Sequence, residues 1–553
     1  MFRRFAQWLA VVSIASSLAF AQPVLNSGSP AVNSASYRGP GSSGSGVAQG
    51  SMFAVFGSGL GPSTVVSATT FPLQTTLGGT SVTVTVNGIS KAALMLFTYQ
   101  TQVNAVLPST TPIGSGTITV TYNGRTSASA PIQVVGSAFG IYTYSSSGWG
   151  QAIALNLSGR QNTIIQTLHP GDWGSLWGTG LGAIGSSDAV APPVGDVPGD
   201  IRVYVGNTAA TVNYHGRAGC CSGLDQINFQ IPAGVQGCHV PIAVQAGGTL
   251  SNVATVAVSA SGQTCNDSIM GQALVDKLAS GQNVTFGYVR LENNNSPFDP
   301  TQAYRSNSDY AFATFSGYTP QTAGWAQYSV SSGYCVAVDC SHGCQVNSYS
   351  GSIPDSSAAQ ISVGSALTVQ GQGTLSVPQA WSGGGYYAAV LNATIPRFLW
   401  SGLSNTVSAT GGATIGAFSA TEMTSTPSTE FTNVDRSQNL SRSSDLTVKW
   451  SGGDPALQNG QVTIGGYSIS SPAHENIALF ECTAPLSAKQ FTIPGWILGT
   501  LPPSGSGQSG SVTYPLGWIW IGQYNTPVTF QATGLDRGIL TDVFFNGIGV
   551  YFQ

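Results

Sequence analysis

Charged side chains are scarce in this chain. Asp, Glu, Lys and Arg make up 7% of its 553 residues, where an average soluble domain has about 25%. With 17 Lys and Arg there is too little positive charge to bind a nucleic-acid backbone, and too few charges of either sign for solvated helix faces or a coiled coil. A formal charge of -4 beside 42% apolar residues excludes disorder driven by net charge. The acids are also unevenly spread. None precedes Asp172, so residues 22–171 cannot supply a carboxylate acid/base pair or a carboxylate calcium site. No run of about 20 uninterrupted apolar residues occurs, so no integral membrane span is expected.

What the chain does have at its start is an export signal. Met1–Ala21 carries Arg3 and Arg4, then an apolar stretch broken by Ser13, Ser16 and Ser17, then Ala19-Phe20-Ala21. This order is that of a secretory signal peptide, with cleavage expected near Ala21 and a secreted or cell-surface destination. Residues 22–45, rich in Ser and Gly, read as a flexible linker.

An internal repeat follows. Gly50-Ser-Met-Phe-Ala-Val-Phe-Gly-Ser-Gly-Leu-Gly61 returns as Gly171-Asp-Trp-Gly-Ser-Leu-Trp-Gly-Thr-Gly-Leu-Gly182, and Gln102-Val-Asn-Ala-Val-Leu-Pro108 as Gln226-Ile-Asn-Phe-Gln-Ile-Pro232. Asn123-Gly124 with Ser127 matches Gly247-Gly248 with Ser251. Three blocks in one order mean two copies of one module. Within them β-branched residues alternate before turn residues, as at Val82, Val84 and Val86 before Asn87-Gly88, which is a strand-and-hairpin signature. The fold expected is all-β: an immunoglobulin-like repeat over 46–136, a second over 137–260, and a linker with one short helix over 261–282. A larger β-sandwich-like region of one or two subdomains fills 283–553. Asn266 or Asp267 is the expected helix cap and Gly281 its end. The glycine-rich stretch ending each first block, Gly57–Gly61 and Gly178–Gly182, reads as a turn, because no helix follows to make a phosphate cradle.

These blocks resemble an uncharacterised secreted domain family of acidobacteria (Solibacter-type) with IPT/TIG-like immunoglobulin-like modules. The resemblance rests on the G-S-G-L-G turn, Pro72-Leu73 to Gly79, Asn87-Gly88, Gln102-Val-Asn104 and Pro108. The second copy adds Gly223-Leu-Asp-Gln-Ile-Asn-Phe229, Gly237-Cys238 and Val240-Pro241. It covers residues 46 to about 265 and implies fold and export. It implies no activity, cofactor or site residues.

Candidate chemistry is confined to the remainder. Eight cysteines, Cys220, Cys221, Cys238, Cys265, Cys335, Cys340, Cys344 and Cys482, are an even number suited to disulfides outside the cell, the first four pairing among themselves and the last four likewise. A zinc site from Cys335, Cys340, His342 and Cys344 is the alternative, with a spacing unlike the usual fingers. No nucleophile elbow or H-E-x-x-H occurs, so no catalytic residue, metal or cofactor is assigned. Sixteen of the 21 acids lie after residue 265, which leaves a secreted hydrolase with a carboxylate pair as one alternative. Trp381, Tyr386, Tyr387, Trp518 and Trp520 stand beside glycines as candidate ligand contacts, with core packing as the competing role. The reading is an exported, non-catalytic binding or adhesion scaffold whose partner is an extracellular glycan or surface protein. Carbohydrate binding through the C-terminal aromatics is the second choice.

Overall fold

The computed structural model describes residues 22–553 apart from 43, 298–304, 326–329, 340–358, 382–384, 391–402, 424–428, 455–456, 458–459, 472–476 and 525. The signal segment and Cys340, His342 and Cys344 lie outside the described residues. The chain is all-β, with immunoglobulin-like sandwiches at its N-terminal end.

Alternation builds the first sandwich. Thr80–Val86 buries Val82, Val84 and Val86 and pairs with Gly114–Tyr122, so that Val82 lies opposite Val120 and Val84 opposite Ile118. Phe53, Val55, Val103 and Met95 of the second sheet close the core from the other side. Asn87-Gly88 and Asn123-Gly124 have φ of 50° and 76°, and 48° and 77°. Two successive left-handed residues match the hairpin turn to the twist of its strands. A Cβ at Gly124 would meet nothing within 4 Å, so Gly124→Ala confronts backbone strain alone. Chemical unfolding of that variant should show a loss of about 1 kcal/mol.

The repeat has a spatial reason. Met52–Ser58 pairs with Gln102–Val106, and Trp173–Thr179 pairs with Asp225–Gln230, so the first two blocks of each copy are adjacent strands. In the third block, Ser127 Oγ accepts the Val120 amide and donates to the Ala128 carbonyl. Ser251 Oγ accepts the Val244 amide and donates to the Asn252 carbonyl. The glycine-rich stretch is a turn in both copies: Gly59 (φ 64°) and Gly180 (φ 110°) are left-handed, Leu60 and Leu181 insert into the core, and a strand follows each.

In the second module, Thr208–Arg217 pairs with Ile201–Val205 at one end and with Asp225–Gln230 at the other, carrying one half of the sandwich into the next. Leu176, Val203, Ile227, Phe229 and Val240 fill its core.

Residues 22–45 correct the linker reading. Val24–Leu25 and Ala31–Asn33 pair with Met52–Ser58, and Ala31, Val32, Asn33, Ser34 and Ala35 are buried. Composition misleads here because small side chains are what fits between the modules. Asn33 Nδ2 donates to the carbonyls of Ala138 and Thr179 at 2.9 and 3.0 Å, and its Oδ1 accepts the amides of Ala35 and Ser36 at 2.8 and 3.1 Å. Asn33→Ala removes a partner from four buried backbone groups, and its unfolding midpoint should report a loss of about 2–3 kcal/mol.

Two acids of the second module complete the junction. Asp188 accepts the Ser109 amide at 2.7 Å and the Ser109 hydroxyl at 2.9 Å, lending a carboxylate to a first module that has none. Asp225 is bonded to Arg217, and both are fully buried. Arg217 Nη2 also donates to the carbonyls of Gly50 at 3.0 Å and Gly182 at 2.7 Å, while Asp225 Oδ2 accepts the amides of Gly180 and Leu181.

The helix spans Gln272–Ala279, with Leu274, Val275 and Leu278 buried, and begins later than expected. Gly271 is its cap; Asp267 Oδ1 instead accepts the amides of Ile269 and Met270 before the helix starts. A further single turn, Gly495–Leu498, joins the one helix that was expected. The C-terminal region is organised by one fifteen-stranded sheet. Leu535–Phe552 runs through it, parallel to Val284–Pro297 and antiparallel to Gly517–Tyr524. Ala243 and Val253 of the second module belong to the same core cluster as Cys335, Val462 and Phe480, and Tyr204 stacks on Trp496 at 6.1 Å.

Candidate functional site

Where the second module meets the C-terminal sheet, the fold leaves a cavity of about 1350 Å³. Tyr524, Thr541 and Tyr288 line it from three adjacent strands, Gly517–Tyr524, Leu535–Phe552 and Val284–Pro297. On the module side it is bounded by Cys238, His239, Cys265 and Asp267. The Cys238–Cys265 disulfide and a 3.0 Å bond from His239 Nε2 to Asp267 Oδ2 tie these two segments together. The His239 amide donates to Ser331 Oγ at 2.9 Å. The Gly333 amide reaches the Thr483 carbonyl, so the 331–334 segment fastens one wall to the sheet edge.

The electrostatics keep this region close to neutral. Burial opposes ionisation of Asp267, but the bonds from His239 and from the Met270 and Ile269 amides outweigh it and hold the carboxyl below its ordinary value. Under the cavity, Arg290 Nε lies 2.8 Å from Glu292 Oε1, and its guanidinium sits 5.3 Å above the Tyr524 ring. Burial disfavours the Arg290 charge, and Glu292, Tyr524, Tyr288 and Glu481 more than restore it. Burial pushes Glu481, Tyr288 and Tyr524 upward, toward their neutral forms.

The structure places the sequence candidates elsewhere or in other roles. Cys220 is bonded to Cys221, Cys238 to Cys265, and Cys335 to Cys482 across 147 residues. Among the described residues no group of His, Cys, Asp or Glu could hold a metal ion. Cys335, read as a zinc ligand in the alternative, is bonded in a disulfide. Of the aromatics, Tyr386 is not a ligand contact. It is fully buried, its hydroxyl donates to the Gly364 carbonyl and accepts the Val363 amide, each at 2.7 Å, and its ring meets Phe315 edge-on. Trp518 and Trp520 are each 7% exposed and pack with Val543 and Phe545, so they too form no open platform. A Cβ at Gly465 would stand 2.3 Å from the Trp520 ring; glycine there makes room for an indole of the core. The side chains of Trp381 and Tyr387 lie outside the described residues.

Two carboxylates do come together after residue 265. Glu422 and Asp542 are 5% and 2% exposed, and neither Glu422 oxygen has a hydrogen-bond partner. Burial, with the Asp542 charge adding, pushes the Glu422 carboxyl up to about 9. Neither residue lines the large cavity, and both side chains are buried.

No family model matches the chain, and no curated protein matches it. Its neighbours among solved structures include surface-layer and immunoglobulin domains. A fragment of the S-layer protein SbsC, domains 4 and 5, is 12% identical over 32% of this chain and 70% of its own length, with a TM-score of 0.12. SbsC domains 4–9 are 9% identical over 84% of this chain and 57% of theirs, with a TM-score of 0.14. The ICAM-5 D1–D4 ectodomain fragment is 10% identical over 91% and 96%, with a TM-score of 0.13. At such scores nothing about a site or ligand follows from them. No helix among the described residues is long and apolar enough to cross a membrane.

Sequence reasoning missed the residues of the cavity. A usable signal was the adjacency of Cys238-His239 and Cys265-Asn-Asp267, since one disulfide draws the histidine to the aspartate. Tyr288, Tyr524 and Thr541 gave none, because only the strand order of the sheet makes them neighbours.

Proposed function

We propose that this chain is an exported, non-catalytic scaffold of the extracellular space or cell surface, with the first two modules acting as a stiff spacer for the C-terminal region. The observation that carries this reading is the buried polar junction between the modules, where Asn33, Asp188 and Arg217 each bond across the boundary. Such bonds fix an angle between domains, whereas an ordinary interdomain contact is small and leaves motion. The signal-peptide pattern supports export, and the sequence blocks support an IPT/TIG-like family origin for residues 46–265. The division of the modules at 136 and 260 is part of this reading. Fractionation of cells producing the full chain tests the proposal: the protein should be found outside the cytoplasm with Gln22 as its N-terminus. Retention in the cytoplasm with Met1 intact would remove it.

A further inference from the structure

We propose that the cavity between the second module and the C-terminal sheet is a binding site for a neutral oligosaccharide. This goes beyond the scaffold reading and does not depend on it.

Three observations select the ligand class. The first is charge: among the described lining residues the only carboxylate is Asp267 and the only base is His239, and each is bound to the other. An anionic or cationic ligand would find no opposite charge left to pair with, and burying an unpaired charge is costly.

The second is unspent hydrogen-bonding capacity. Thr541 Oγ1 and His239 Nδ1 are buried with no partner, and both residues line the cavity. Thr541 and His239 are 1% and 4% exposed. Buried polar atoms are ordinarily paired, and a polyhydroxylated ligand supplies both donors and acceptors. Thr483 and Gln461 add a hydroxyl and an amide to the same wall. The third is composition: Tyr288, Tyr334 and Tyr524 line the cavity together with these polar groups, the mixture of apolar and polar surface that suits a sugar. The volume of about 1350 Å³ exceeds the roughly 300–1,000 Å³ of sites for single small molecules, so several sugar units fit better than one.

Calorimetric titration of the mature full-length chain tests this, using neutral cello-, xylo-, manno- and malto-oligosaccharides of about four to six units and an oligogalacturonate of equal length. At least one neutral series should bind at one site per chain and the anionic series should not. Thr541→Val, which keeps the side-chain shape, and Tyr334→Ala, on the more open wall, should each weaken binding about tenfold. Their unchanged circular dichroism would show that folding is not the cause. If Tyr334→Ala fails to fold, Gln461→Ala takes its place. The proposal is overturned if no neutral oligosaccharide binds, if the anionic one binds as tightly, or if binding is indifferent to the substitutions.

Discussion

Arg217→Met should lower the stability of the full chain by about 3–5 kcal/mol in denaturant unfolding at neutral pH. The substitution keeps most of the side-chain volume but removes the charge that faces Asp225, whose side chain is fully buried. It also takes a donor from the Gly50 and Gly182 carbonyls. A buried carboxylate left alone costs more than the intact pair ever contributes, because desolvation is no longer offset by attraction. Adding Asp225→Asn to Arg217→Met should therefore recover part of the loss. The amide oxygen of asparagine can still accept from Gly180 and Leu181, and no charge remains to be desolvated. Equal stability of the single and double variants would show that charge is not what matters at this junction.

Glu422→Gln should act in the opposite direction. With the Glu422 carboxyl raised from 4.5 to about 9, the side chain is protonated in both folded and unfolded chains under acid conditions. Between those values only the unfolded chain releases the proton, so stability falls by roughly 1.4 kcal/mol for each pH unit. Above about 9 both forms are ionised and the loss levels off. The stability present below the unfolded value is thus lost as pH rises toward the folded one. Glutamine is neutral throughout. At pH 8 the variant should exceed the natural chain by several kcal/mol, and at pH 4 the two should converge. Asp542→Asn, which removes the neighbouring charge, should make the natural slope end at a lower pH. A Glu422→Gln chain with the same pH profile as the parent would refute the assignment.

Much of the architecture is legible before any coordinates. Period-two alternation at Val82–Val86 and the Asn-Gly pairs report strand faces and hairpin turns directly, since both are local properties of the chain. The repeat reports two copies because adjacent strands and a serine-closed hairpin conserve the same chemistry in each. Legibility ends where a residue's role depends on a distant partner. Asn33 sits among serines and glycines, and only the carbonyls of Ala138 and Thr179 explain it. Trp518 and Trp520 look available beside their glycines, yet the strand carrying Val543 and Phe545 turns that face into core. The sixteen late acids look interchangeable; packing alone separates the buried ones, Glu422 and Asp542 among them, from those in polar turns.

The bond from Arg217 to the Gly50 carbonyl spans 167 residues of chain. A ribosome adding about 5–20 residues per second needs roughly 10–30 s to cover that interval. Throughout it the Gly50 carbonyl lacks Arg217, and Asn33 meets its two carbonyls only 105 and 146 residues after its own synthesis. The final closure of the first module is therefore timed by the synthesis of its sister, and the two copies of the repeat complete their folding as one unit.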